Sequence, residues 1–153
     1  MKHLEKIVSV QNPYNLLNRS YEVGISEISI REKVGLLAYS PLASGTLSGK
    51  YLDGKLPDGT RLKLFGDRYP RYRTPNSEPA IKEYIKIANK YNLDVCQMAI
   101  KFCEIQPFVT SVIIGATKID QLKKNLQSHE IKLDDKIIQD INNVQQIYSN
   151  PCP

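Results

Sequence analysis

The chain has 153 residues, 41% of them hydrophobic and 24% charged, which suits one globular domain with a buried core and is not the composition of a disordered chain. Its 21 lysines and arginines are interspersed with 16 acids to a formal charge of +5, with no long basic run, which makes a small anionic ligand at least as good a reading as nucleic acid. Met1 to Lys6 has no apolar signal core and the apolar runs are far below the roughly 18 residues that span a bilayer, so no membrane association is expected and the cytoplasm is.

The first short apolar run, Ile7 to Val10, predicts a strand that ends at Gln11, whose amide can both donate and accept. A second strand is expected over Val34 to Ala38, closed by the aromatic face of Tyr39. Both runs lack polar alternation, which predicts strands buried on two faces, as in a parallel sheet.

After the second strand comes AYSPLASGTLSGKY, Ala38 to Tyr51, rich in serine and glycine and ending at Lys50. Small residues let backbone approach a pyrophosphate closely, and hydroxyls can donate to it; an ordinary serine and glycine turn has the same composition. Neither GxGxxG nor GxxxxGK[ST] is present, which sets aside the Rossmann and P-loop folds. Tyr51 to Asn76 shows neither periodicity and is expected as one long loop. Within it Arg61 is a candidate phosphate clamp, although Lys63, Arg68, Arg71 and Arg73 make the whole segment basic.

Two amphipathic helices are predicted from Pro79 to Glu104. Ile81, Tyr84, Ile85 and Ala88 form the apolar face of the first, and Val95, Met98, Ala99 and Phe102 follow Asp94 as the N-cap of the second. A third strand, Ser111 to Ile114, then runs through Gly115 into a helix for which Thr117 and Asp120 have capping-box spacing. That geometry aims backbone N–H groups and the positive end of the helix dipole at one point, where Lys118, Gln121, Lys124 and Asn125 gather. A phosphate site and a solvated helix start both fit it. A last helix is predicted after Asp134, with Leu133 and Ile138 as a hydrophobic staple.

Chemistry of the acid–base or metal kind finds little support. Cys96, Cys103 and Cys152 form no CxxC pair and are expected as free thiols; His3 and His129 accompany no nucleophile pattern. No complete catalytic constellation and no metal site is predicted.

Strand, helix, strand, long loop, helices, strand, helix is the rhythm of βαβ units, yet three strands neither close a barrel nor protect their own outer edges. In order and spacing, VSVQNPYN at Val8 to Asn15, LLAYSPLASGTLSGKY at Leu36 to Tyr51 and VIIGATKIDQLKKN at Val112 to Asn125 resemble the last three strand and loop units of an aldo-keto reductase. The likeness is to the bacterial reductases related to potassium-channel β subunits, and it covers nearly the whole chain.

The resemblance implies an α/β fold: the C-terminal part of a (β/α)8 TIM barrel, about three parallel strands with their helices plus a C-terminal helix, residues 1–153 forming a single partial domain. It implies NADP(H) as cofactor. Gln11 would bind the nicotinamide carboxamide and Tyr39 would stack on the ring. Ser40, Leu42, Ser44 and Gly45, with Ser48 and Lys50, match the pyrophosphate loop, and Arg61 a basic residue beyond it. Gly115, Thr117, Gln121 and Asn125 fall around the adenosine and its 2′-phosphate. Lys124 stands where the channel-subunit relatives carry an acid, which favours NADPH over NADH.

The family's catalytic aspartate, tyrosine, lysine and histidine lie on the first half of the barrel and have no counterpart in this sequence. Three readings follow: half of a reductase, silent by itself; a split enzyme completed by a separate N-terminal half-barrel chain; and a non-enzymatic NADP(H)-binding module.

Overall fold

A computed structural model describes residues 5–153. Three parallel strands, β1 (Ser9–Pro13), β2 (Gly35–Tyr39) and β3 (Val109–Ile113), form one sheet in the order β1-β2-β3, with a register irregularity at Leu36/Leu37. All three end at a common row, Pro13 beside Tyr39 beside Ile113, so the loops that follow them emerge on one side. His3 lies outside the described residues.

The strands are displaced from the apolar runs in the sequence. β1 begins at Ser9, and Ile7 and Val8 before it are 64% and 82% exposed, while β3 begins two residues ahead of Ser111. Ladder pairing sets these limits, and pairing does not track side-chain apolarity.

Burial on two faces is also not what the sheet has. Leu36 and Ala38 are buried against the helices, whereas the opposite face carries Gln11, Leu37 and Ser111 in one row and Pro13, Tyr39 and Ile113 in the next. Gln11, Tyr39, Ser111 and Ile113 are exposed on it. Three strands do not curl far enough to cover their own inner face.

Helix α1 (Ile25–Glu32) joins β1 to β2 and buries only Ser29, leaving Ile25, Ile28 and Ile30 exposed. The segment expected as one irregular loop is folded into α2 (Arg61–Phe65) and single 3-10 turns at Leu52–Gly54, Gly66–Arg68 and Pro70–Arg73, pinned by buried Leu62 and Tyr72. Turns this short leave no repeating apolar stripe, which is why periodicity missed them.

Helices α3 (Ser77–Lys90) and α4 (Val95–Glu104) match the prediction to within two residues, and the Asp94 carboxylate accepts from the Cys96 and Gln97 amides as its spacing required. After β3, α5 (Ile119–Leu126) starts without a capping box. Lys118 is its N-cap, ahead of the first turn, and the reach-back bond to Thr117 is made by Gln121, not by Asp120. The final α6 (Asp135–Ile147) is capped by Asp134 accepting from the Ile137 amide, and Leu133 and Ile138 pack on the core as the staple predicts.

The core lies between β2, α3, α4 and α6, and the chain leaving β1 runs through it. Tyr14, Leu16 and Leu17 are fully buried; the Leu16 carbonyl accepts from the Tyr84 hydroxyl at 2.9 Å and the Leu17 carbonyl from the Cys152 amide at 3.0 Å. Arg19 follows. Its guanidinium pairs with Glu22 at 2.7 Å, donates to Asn142 at 2.8 Å and lies 4.9 Å from the Phe102 ring centroid. Burial, reinforced by Glu22, which accepts its hydrogen bond, pushes the Tyr14 hydroxyl's pKa far above the phenol range.

Gly35 leaves no room for a side chain beside β3: an added Cβ would overlap Thr110 Oγ1 and stand 2.9 Å from Thr110 Cβ. Gly35→Ala is expected to destabilise the fold by about 1–3 kcal/mol through overpacking. In urea unfolding, Thr110→Gly in the same chain should restore part of that loss; an unchanged midpoint in the single variant would refute the close approach.

Candidate functional site

The three strand ends form a shelf. Gln11 and Tyr39 share the open face of the sheet in adjacent rows, and the loops after β2 and β3 rise beside them. Tyr39 is 36% exposed, so its ring is available at the mouth of the shelf.

The loop after β2 is held in an unusual backbone conformation. Ser40 (φ 56°), Ala43 (φ 49°), Ser44 (φ 56°) and Gly45 (φ 88°) are all left-handed. Non-glycine residues in this region cost about 1–3 kcal/mol each and persist where the surroundings over-determine them, typically at ligand sites. The Ala43 amide donates to the Ser40 carbonyl at 2.9 Å and the Gly45 amide to the Leu42 carbonyl at 2.8 Å, so the turn closes on itself. Ser48 Oγ donates to the Gly45 carbonyl at 2.7 Å and tightens it further.

Thr46 Oγ1 is buried in this loop without a hydrogen-bond partner, and Ser44 Oγ is buried facing the Tyr72 hydroxyl. An unpartnered atom carries the full penalty of lost hydration until something fills the vacant bond, which is the character expected of a group held for a phosphate oxygen. Lys50 folds back over the loop: its Nζ lies 2.8 Å from where a Cβ on Gly45 would stand and 5.1 Å from the Tyr51 ring centroid. The positive φ favours glycine at that position, whereas the lysine end could swing aside for a Cβ.

At the other end of the shelf, the Thr117 amide and hydroxyl both donate to Gln121 Oε1, at 3.3 and 3.2 Å. Gly115 has open space around it and Asn125 is buried at the base of α5. Lys124, whose charge the sequence offers to a phosphate, is ion-paired to Asp94 at 2.7 Å. Arg61 is exposed at the start of α2, where the neighbouring Leu62 amide donates to the Tyr51 hydroxyl at 3.3 Å.

The structure therefore groups Gln11 with Tyr39, Ser40, Leu42, Ser44, Gly45, Ser48 and Lys50 with one another, and Gly115, Thr117, Gln121, Lys124 and Asn125 along one strand-to-helix turn. Three further residues belong to the site and carry no sequence signal as ligands. Asn15, fully buried, donates from Nδ2 to the Ser40 carbonyl at 3.0 Å and accepts from the Leu17 amide at 2.9 Å. Tyr72, from the basic segment, is 6% exposed with its hydroxyl facing Ser40 and Ser44; burial holds that hydroxyl's pKa above the ordinary range, against those two contacts. Asp94 was legible only as a helix cap.

His129 is occupied locally, with Nδ1 2.7 Å from the Leu126 carbonyl. Among the described residues no cluster of histidine, cysteine, aspartate or glutamate could hold a metal, and no helix is long and apolar enough to cross a membrane.

Parallel strands followed by helices, with loops collected at the strand C-termini, define part of a (β/α)8 barrel. The chain belongs to the aldo/keto reductase family, whose model matches residues 1–146. It is 48% identical to "Protein tas" of Escherichia coli (strain K12), covering 99% of this chain and 44% of that protein. It is 35% identical to an aldo-keto reductase of Babesia bovis, covering 94% of this chain and 53% of that one. The chain thus spans about half the length of these relatives. A glycerol dehydrogenase from Gluconobacter oxydans shares the fold with a TM-score of 0.73 at 23% identity, over 93% of this chain and 43% of that chain.

Asn15 is the residue on which the two neighbouring strand ends converge. Asn15→Ala leaves the Ser40 carbonyl and the Leu17 amide unpaired in the interior, and a loss of about 1–3 kcal/mol is expected in urea unfolding. A wild-type midpoint would show that the Asn15 side chain does not hold the loop.

Proposed function

We propose that this chain is the NADP(H)-holding half of an aldo-keto reductase, one partial domain of an enzyme that transfers hydride between the nicotinamide and an aldehyde or ketone. The observation that carries the reading is the loop after β2: three consecutive left-handed residues and two buried hydroxyls, that of Thr46 without a partner, placed beside an open face that bears Gln11 and Tyr39. A loop strained and desolvated in this way fits a pyrophosphate.

Gln11 is assigned to the nicotinamide carboxamide and Tyr39 to the face of the ring. Ser40, Leu42, Ser44, Gly45, Ser48 and Lys50 take the pyrophosphate. Arg61, Gly115, Thr117, Gln121, Lys124 and Asn125 take the adenosine and its 2′-phosphate. When bound, the nicotinamide supplies the hydride; these residues bind and orient it and keep its phosphates out of bulk water.

Carbonyl reduction also needs a proton donor of tuned pKa beside the oxygen. The family's aspartate, tyrosine, lysine and histidine have no counterpart here, so turnover requires a complementary N-terminal half-barrel, whether joined covalently or supplied as a separate chain. The unpaired outer edges of β1 and β3 and the exposed Ile25, Ile28 and Ile30 of α1 give that half a surface to meet. Free thiols at Cys96, Cys103 and Cys152 suit a reducing cytoplasm.

Titration of the chain against NADPH, followed by nucleotide fluorescence, is expected to saturate, and Ser44→Pro together with Gly45→Val should abolish saturation. Addition of a half-barrel carrying the missing acid should give NADPH oxidation with an aldehyde. Saturable binding that the loop variant leaves intact would defeat the assignment of the loop, and a complete barrel without turnover would defeat the reductase reading.

A further inference from the structure

The first turn of α4 lies between the two parts of the shelf and grips α5 twice. Asp94 Oδ1 accepts from the Cys96 and Gln97 amides at 3.0 Å each, which caps α4. Its other oxygen, Oδ2, holds Lys124 Nζ at 2.7 Å. Independently, Gln97 Nε2 donates to the Lys124 backbone carbonyl at 2.8 Å, a tie to α5 that does not involve the ion pair.

The same place is electrically crowded. The turn after β2, which leads to Lys50, and α5, which carries Lys124, both pack on α4, and both lysines act on Cys96. Burial, and then Asp94, push the Cys96 thiol up to about 11, whereas the two lysines act in the opposite direction. Burial is the largest of these influences and the carboxylate the next.

We propose that Asp94 sets how strongly the α5 end of the shelf discriminates for a 2′-phosphorylated nucleotide, by holding the charge of Lys124. The inference rests on the nucleotide reading given above. Paired at this distance, Lys124 presents little net charge, and a phosphate that recruits it must compete with Asp94 and then face the carboxylate it uncovers. Lys124 is 56% exposed, so the exchange is open to an incoming ligand. Asp94 is a positioning residue: it touches the lysine and the helix, not the nucleotide.

The two roles of Asp94 separate in one substitution. Asn is as good an N-cap as Asp, so Asp94→Asn keeps Oδ1 on the α4 amides and leaves Gln97 on the Lys124 carbonyl while it removes the negative charge. NADPH and NADH are titrated against the full chain in the wild type, Asp94→Asn, Lys124→Gln and the double variant, with thermal melts of each and a side-chain NMR titration of Lys124.

Asp94→Asn is expected to melt with the wild type, to lower the raised Lys124 pKa and to tighten NADPH by about fivefold, the scale of an exposed ion pair, with NADH unchanged. In the Lys124→Gln background most of that shift should vanish. An unchanged NADPH to NADH ratio in Asp94→Asn, or a shift that persists in full without Lys124, overturns the inference while leaving the nucleotide reading intact. If the wild type binds neither nucleotide, both fall together.

Discussion

The site depends on two hydrogen bonds that fasten the ends of β1 and β2 to each other beyond the last ladder pair. The Tyr14 amide donates to the Tyr39 carbonyl at 3.2 Å, and Asn15 Nδ2 donates to the Ser40 carbonyl at 3.0 Å. Asn15 is itself immobilised, because Leu16 and Leu17 after it are fully buried and their carbonyls are taken by Tyr84 and Cys152. A loop that carries left-handed serine and alanine residues would relax toward ordinary dihedrals if its first residue were free. Fixing Ser40 from the core side is what lets the strain persist.

That buried turn carries a cost of its own. Arg19 and Glu22 are an ion pair largely withdrawn from water, and such pairs stabilise little relative to apolar residues of the same shape, although removing one partner is severe. Here the pair does more than cancel charge. Arg19 donates to Asn142 on α6, its backbone amide donates to Asn150 at 2.6 Å, and its guanidinium covers the Phe102 ring on α4. The chain after β1, the C-terminal segment and α4 are thereby fixed in one arrangement. Directional bonds specify that arrangement where apolar contact alone would allow sliding.

Much of the fold was legible because it rests on local chemistry. Asp94 and Asp134 cap where their spacing to the following apolar residues places them, and the Ile81, Tyr84 and Ala88 face of α3 is buried as its period implies. The motifs that resemble a reductase likewise sit at the strand ends, where a (β/α)8 barrel places its ligand loops. What could not be read depends on contacts distant in sequence. Gln121 supplants Asp120 at the start of α5 because its longer side chain reaches Thr117; the short turns between Tyr51 and Asn76 exist because Leu62 and Tyr72 find the core; and the pairing of Asp94 with Lys124 spans two elements and a strand.

The open face of the sheet connects ligand and partner. It presents Gln11, Tyr39, Ser111 and Ile113 to solvent, an amide, a phenol, a hydroxyl and an aliphatic chain in two rows. A dinucleotide laid across the strand ends would cover the upper row, reach Gln11 in the lower one and leave the backbone edges of β1 and β3 as they are, since a nucleotide offers no ladder of amides. A complementary half-barrel would pair those edges and enclose the lower row without supplying anything to Ser44 or Thr46. The two occupants therefore answer different deficits of the same surface. If each orders part of the frame on which the other rests, binding of either would stabilise the state that accepts the other, and the two affinities would be linked by one coupling free energy.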